Sequence, residues 1–165
     1  MKGIFLLGLS VCLGCLGLAD PVGVRLGYFS GQRFSSNGQR ISLQGPTVGA
    51  DLPVWSGSGG RLKVQVSPSI TFGGALRKGN DSDATLYRVL VKATGSACGE
   101  GFYGGGGLGF GGAQGRGTTR VRERVSVVGQ ILGGFALGGG PYFEVGYYLG
   151  PNPHRGIGFE LGTRF

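Results

Sequence analysis

Three features of the sequence predict an all-β chain folded as an eight-stranded antiparallel up-and-down barrel. Apolar residues alternate with small or polar ones through eight segments, the period-two pattern of strands whose faces meet different surroundings. Glycine supplies 39 of the 165 residues, yet it is interleaved with Val, Leu, Phe and Tyr, residues that disordered chains lack. Because glycine also breaks helices, this composition leaves strands. The connections alternate between long polar stretches and short Gly-rich ones, as in an even-numbered barrel whose termini share one side.

The start, MKGIFLLGLSVCLGCLGLAD, stands apart. One Lys, an apolar run from Ile4, and small residues at Gly17 and Ala19 read as a secretory signal peptide. Cleavage is expected after Ala19, which gives a signal over 1–19 and a barrel domain over 20–165. A membrane anchor is the alternative, but the run is short for a spanning helix and rich in Gly and Cys. Lipidation at Cys12 or Cys15 is disfavoured. Val11 is too large beside Cys12, and Cys12 stands where Cys15 would want Leu. After cleavage only Cys98 remains, which excludes a disulfide-stapled fold. No second long apolar run follows, so no transmembrane helix is expected.

The strands follow in order. From Pro21 to Phe29, Val22, Val24, Leu26 and Tyr28 alternate with Gly23, Arg25 and Gly27. After the polar loop SGQRFSSNGQR, a second strand runs from about Gly45 to Trp55. Pro53 would remove a ladder hydrogen bond, so it is expected near that strand's end, before a tight turn over Ser56 to Gly60. The third strand, Leu62 to Phe72, sets Leu62, Val64, Val66, Pro68 and Ile70 opposite Lys63, Gln65, Ser67, Ser69 and Thr71. A charged loop over Ala75 to Asp83 leads to a fourth strand, Thr85 to Ala93, with Tyr87, Val89 and Val91 outward. A turn over Ser96 to Glu100 precedes the fifth, Gly101 to Gly111, and a basic loop over Ala113 to Glu123 follows it. The sixth runs from about Arg124 to Leu137, the seventh from Pro141 to Leu149, and the eighth from Gly156 to Phe165.

Aromatics gather at strand ends, as interfacial girdles require. One rim is expected to hold Trp55, Phe102, Tyr103, Tyr142, Phe143 and Phe165. The other would hold Tyr28, Phe29, Phe72, Phe110, Tyr147 and Tyr148. The polar faces decide between lipid and water. A solvated exterior carries many Lys, Glu and Asp; here that face is Gly, Ser and Gln with single charges. Those charges are Arg25, Asp51, Lys63, Arg88, Lys92, Arg124, Glu144, Glu160 and Arg164. They suit the cramped lumen of a small membrane barrel, where Glu144 and Glu160 should pair with nearby bases.

The ending GIGFELGTRF, with Ile157, Phe159, Leu161, Thr163 and Phe165 on one face, resembles the closing strand of bacterial outer-membrane barrels. With the signal and the eight alternating segments, the chain is similar to the OmpA/OmpX-type family of small outer-membrane β-barrel proteins of Gram-negative bacteria. The resemblance implies an outer-membrane location with periplasmic termini and surface loops. It also implies that Phe159, Leu161, Thr163 and Phe165 are read by the barrel-assembly machinery, after periplasmic chaperones have carried the chain in transit.

No catalytic, metal or cofactor site is expected. His154 is the sole histidine, and where a lipid A deacylase-like site would place serine two residues on, this chain has Gly156. A general base needs a positioned partner, so His154 reads as a loop residue at the rim. Gly104 to Gly112 lacks the Lys-Ser/Thr ending of a phosphate loop, and Cys98 alone makes no metal site. The net charge is +8, and the outer loops carry Arg33, Arg40, Arg77, Lys78, Arg116, Arg120, Arg122 and Arg155 against Asp81, Asp83 and Glu123. These bases are candidate contacts to lipopolysaccharide phosphates, which Arg suits through its forked donors; nucleic acid is a poor match for scattered loop charge on a secreted chain. The expectation is a non-enzymatic barrel with an envelope-integrity or surface-interaction role. The alternatives are a narrow pore for small solutes, or a soluble secreted or periplasmic barrel binding a small apolar ligand.

Overall fold

The computed structural model describes residues 22–36, 39–59, 62–76, 83–97, 101–115, 125–138 and 140–164. The signal peptide, the three cysteines, Arg124 and Phe165 lie outside them. Among the described residues eleven strands follow one another: β1 Gly23–Gly31, β2 Phe34–Ser36, β3 Gln39–Ile41, β4 Gln44–Asp51, β5 Trp55–Gly59, β6 Leu62–Leu76, β7 Asp83–Ala97, β8 Phe102–Gly115, β9 Ser126–Ala136, β10 Pro141–Leu149 and β11 Gly156–Arg164. The short β2 and β3 form a hairpin of their own. The rest make one antiparallel sheet in the order β4-β1-β11-β10-β9-β8-β7-β6-β5, which closes through β4 on β6.

Since β4 and β5 both pair with β6, they are one barrel strand with a break, and the barrel has eight staves. The break holds Pro53, buried and in mid-strand rather than at the expected end, and Ser56 to Gly59 continue the strand where a turn was expected. Hydrogen bonding explains this. Leu52 and Val54 donate to the carbonyls of Pro68 and Val66 on β6 at 2.8 and 3.0 Å. Successive residues bond to opposite neighbours, so the N–H that Pro53 lacks would face β1. Among the described residues pairing with β1 stops at Asp51 opposite Gly23, so no described acceptor stands opposite the missing donor.

Other strands outrun their expected ends too. β6 and β7 have 15 residues each and take in Ala75, Leu76, Asp83, Ser96 and Ala97, while β8 runs on to Gly115. An apolar band about 25 Å tall needs only 9–11 tilted residues. Polar residues beyond that band still pair with their neighbours across the sheet, and composition does not reveal where pairing stops.

The pleat turns the usual burial order inside out. Leu26 is 65% exposed, Phe102 68% and Ile131 61%, with Val89, Val91, Leu108, Phe110, Val127, Phe159 and Leu161 also on the outside. The interior holds Arg25, Ser69, Thr71, Arg88, Lys92, Gln130, Glu144 and Glu160. Such an exterior is made for hydrocarbon, not water.

The aromatic rims need correction. Trp55, Phe102 and Phe143 face outward near one end, and Tyr28, Phe72, Phe110 and Tyr147 near the other. Phe29, Tyr142 and Tyr148 are buried in the lumen, however, and Tyr103 reaches inward to Glu144. Each sits beside an outward aromatic, and adjacent residues of a strand point to opposite faces. Only one of each pair can reach lipid.

Candidate functional site in the barrel lumen

The lumen is layered along the barrel axis. At the loop end, Phe29, Leu43, Leu86, Leu90, Ala113, Val128 and Tyr148 pack as an apolar plug. Below it lies a layer of charge. Toward the chain termini, a cavity of about 110 Å³ opens among Lys63, Gln65, Thr94, Ser96, Tyr103 and Arg164.

The charged layer is built by parity. Arg25 stands between the outward Val24 and Leu26 of β1, and the same alternation turns Lys92, Glu144 and Glu160 inward from β7, β10 and β11. Arg25 is 1% exposed; its Nη1 lies 3.2 Å from Asp51 Oδ1 and 3.1 Å from Glu160 Oε2. Its Nη2 donates to Ser69 Oγ and Thr71 Oγ1, each at 2.6 Å. Room for this guanidinium comes from β4: a Cβ on Gly49 would stand 2.5 Å from Arg25 Nε. Lys92 Nζ lies 2.8 Å from Glu144 Oε1 and 3.6 Å from Asp51 Oδ1.

Three tyrosines complete the layer. Tyr103 donates to Glu144 at 3.3 Å, Tyr142 to Asp51 at 3.2 Å and Tyr148 to Glu160 at 3.1 Å. Each carboxylate therefore has both a cation and a phenol. That is the condition under which charge is tolerated away from water.

Arg88 is held differently. Its guanidinium lies 4.1 Å from the Phe29 ring centroid and 4.0 Å from that of Tyr148, a cation between two π faces. One Nη donates to the His154 carbonyl at 3.3 Å. Tyr148 then relays the contact to Glu160. Arg25 and Lys92 are thus paired with Asp51, Glu144 and Glu160, and Arg88 reaches this layer through Tyr148.

The remaining candidates lie elsewhere. Lys63 is exposed at the terminal mouth, and Arg164 is half-buried there with its guanidinium 5.3 Å from the Tyr142 ring. Phe159 and Leu161 face outward, and Thr163 is half-buried near the rim. Arg33 is exposed, and Arg155 is exposed with its Nε donating to the Tyr147 hydroxyl at 3.2 Å. Arg40 lies on β3, and Arg77, Lys78, Arg116, Arg120 and Arg122 fall outside the described residues.

His154 is buried at the outer mouth, 1% exposed, rather than lying free on the rim. Neither ring nitrogen has a hydrogen-bond partner among the described residues. Burial, with the Arg88 cation nearby, pulls its pKa down to about 4. Among the described residues no acid or hydroxyl is placed to make it a general base. Among the described residues no His, Cys, Asp and Glu form a metal-binding group, and the three buried acids are engaged by Arg25 and Lys92.

The three phenols, the hydroxyls of Ser69 and Thr71, and the Arg88 sandwich were not foreseen from the sequence. The adjacent aromatics Tyr28-Phe29, Phe102-Tyr103, Tyr142-Phe143 and Tyr147-Tyr148 carried the missed signal, because strand parity sends one of each pair inward.

No protein-family model and no curated protein sequence matches the chain. Solved structures do. Ail, the attachment invasion locus protein of Yersinia pestis, solved in complex with the heparin analogue sucrose octasulfate, matches with a TM-score of 0.57 at 17% identity over 90% of this chain and 100% of that one. A second structure of Ail gives 0.55 at 16% identity, with the same coverage. Neisserial surface protein A gives 0.51 at 14% identity over 87% of this chain and 97% of that one. At such identities the likeness is one of architecture, and it agrees with the closed sheet and the apolar exterior. The chain has the fold of the small eight-stranded outer-membrane β-barrels.

Proposed function

We propose that this outer-membrane barrel is non-enzymatic and acts at the surface, through basic loops that engage phosphate- or sulfate-bearing glycans, lipopolysaccharide among them. One observation carries the reading: in the lumen Arg25 and Lys92 are paired with acids, whereas in the loop sequences bases outnumber acids. Where Arg outnumbers acid in the loop sequences, the surplus charge suits an anionic polymer, and the forked donors of Arg suit phosphate and sulfate oxygens. Ail, of similar fold, was solved with a sulfated sugar, which supports the same ligand chemistry here.

The test is calorimetric titration of sucrose octasulfate and of lipopolysaccharide into the folded barrel, with and without R116Q, R120Q and R122Q together. Wild-type binding should weaken with salt and fall about tenfold or more in the triple variant, as for a contact made by several charges. Equal binding by the variant, or none by the wild type, would contradict the proposal.

A further inference from the structure

We propose that His154 is an acid-released latch: protonating its imidazole frees the 150–155 segment from the outer mouth and uncovers Arg88. The segment joins β10 to β11 and is turned back over the lumen, where the ring is almost wholly enclosed. A Cβ on Gly111 of β8 would stand 2.8 Å from His154 Cε1, so the ring occupies space that only a glycine leaves open. The enclosure suits a neutral ring.

Among the described residues the surroundings give an imidazolium no counter-charge. β7 brings Arg88, whose guanidinium already holds the His154 carbonyl. β8 and β9 bring Gly111 and Val128, neither of them titratable. β10 brings Tyr148, whose hydroxyl is committed to Glu160, and Glu160 is in turn paired with Arg25. Within the segment itself, Arg155 is exposed and bonded to Tyr147. Both ring nitrogens are unpartnered, so a proton would add a buried cation beside another cation with no acceptor for its N–H groups.

The direction follows by linkage. The pKa of the enclosed ring lies near 4 and that of a free imidazole near 6.5, so the released state binds the proton more tightly. Above that ordinary value the ring is neutral in both states and the latch is unaffected. As pH falls from about 6.5 toward 4, the closed-to-released ratio drops by about tenfold per pH unit. Below that range the closed state is protonated too and the loss levels off.

Two backbone hydrogen bonds report the latch: Gln32 N–H to the Arg155 carbonyl at 2.8 Å, and His154 N–H to the Pro151 carbonyl at 3.0 Å. Amide exchange on the folded barrel in micelles would follow them between pH 7 and 4. Exchange is read as a protection factor, so intrinsic pH effects cancel. Protection at Gln32 and His154 should fall about tenfold per unit over that window in the wild type, while ladder amides such as Val128 stay protected. In H154L it should stay flat. Carboxylates that titrate near the low end are present in both proteins, so only the histidine separates them. Because His154 is the sole histidine, its imidazole resonance gives a second reading that needs no variant: its midpoint should lie below the ordinary value. Flat wild-type protection, an equal fall in H154L, or an imidazole titrating at the ordinary value would overturn the latch.

Discussion

At the scale of single residues, the interior depends on matching. Arg25 holds four strands together: β1 carries it, β4 brings Asp51, β6 brings Ser69 and Thr71, and β11 brings Glu160. Replacing it by Met keeps the volume but leaves Glu160 without its cation and Asp51 with Lys92 alone. We expect R25M to lose about 3–5 kcal/mol in reversible urea unfolding, the cost of orphaning a buried charge. R164M, at the half-buried mouth with no acid partner among the described residues, should change stability by less than about 1 kcal/mol. Equal effects would show that the buried layer does not hold the staves together. Parity made the inward direction of Arg25, Arg88, Lys92, Glu144 and Glu160 legible, because facing is a local property of a strand. Their partners were not legible: that Arg25 meets Ser69, 44 positions away, depends on the stagger between strands, which no single segment encodes.

At the scale of elements, each strand is an amphipathic ribbon with its apolar side outward. β9 shows the rule, with Ile131 exposed between the inward Gln130 and Leu132. I131R places a charge against hydrocarbon in mid-strand. Its cost should be about 2–4 kcal/mol in the same assay if the position lies near the bilayer midplane. An effect within about 0.5 kcal/mol would mean that β9 faces water. All eight staves could be read from alternation, but their ends could not. Pro53 marks a terminus only if its neighbour continues, and β1 stops just where the proline begins. The 15 residues of β6 and β7 likewise reflect pairing between partners of equal length, a property of the pair and not of either segment.

At the scale of the whole molecule, closure and filling decide what the barrel can do. Eight staves enclose an interior about wide enough for side chains. Here they fill it twice over, with the apolar plug toward the loops and the ion-paired layer beneath. The cavity of about 110 Å³ at the terminal mouth lies beside a smaller one of about 20 Å³, whose walls include Lys92, Glu144 and Asp51. We propose that a barrel filled in this way offers its loops to partners and no path to solutes. Planar-bilayer recording of the purified, folded protein at neutral pH tests that claim most directly. The account predicts silent membranes after insertion, confirmed by the heat-dependent gel mobility of a folded barrel; stable, stepwise open-channel currents would contradict it.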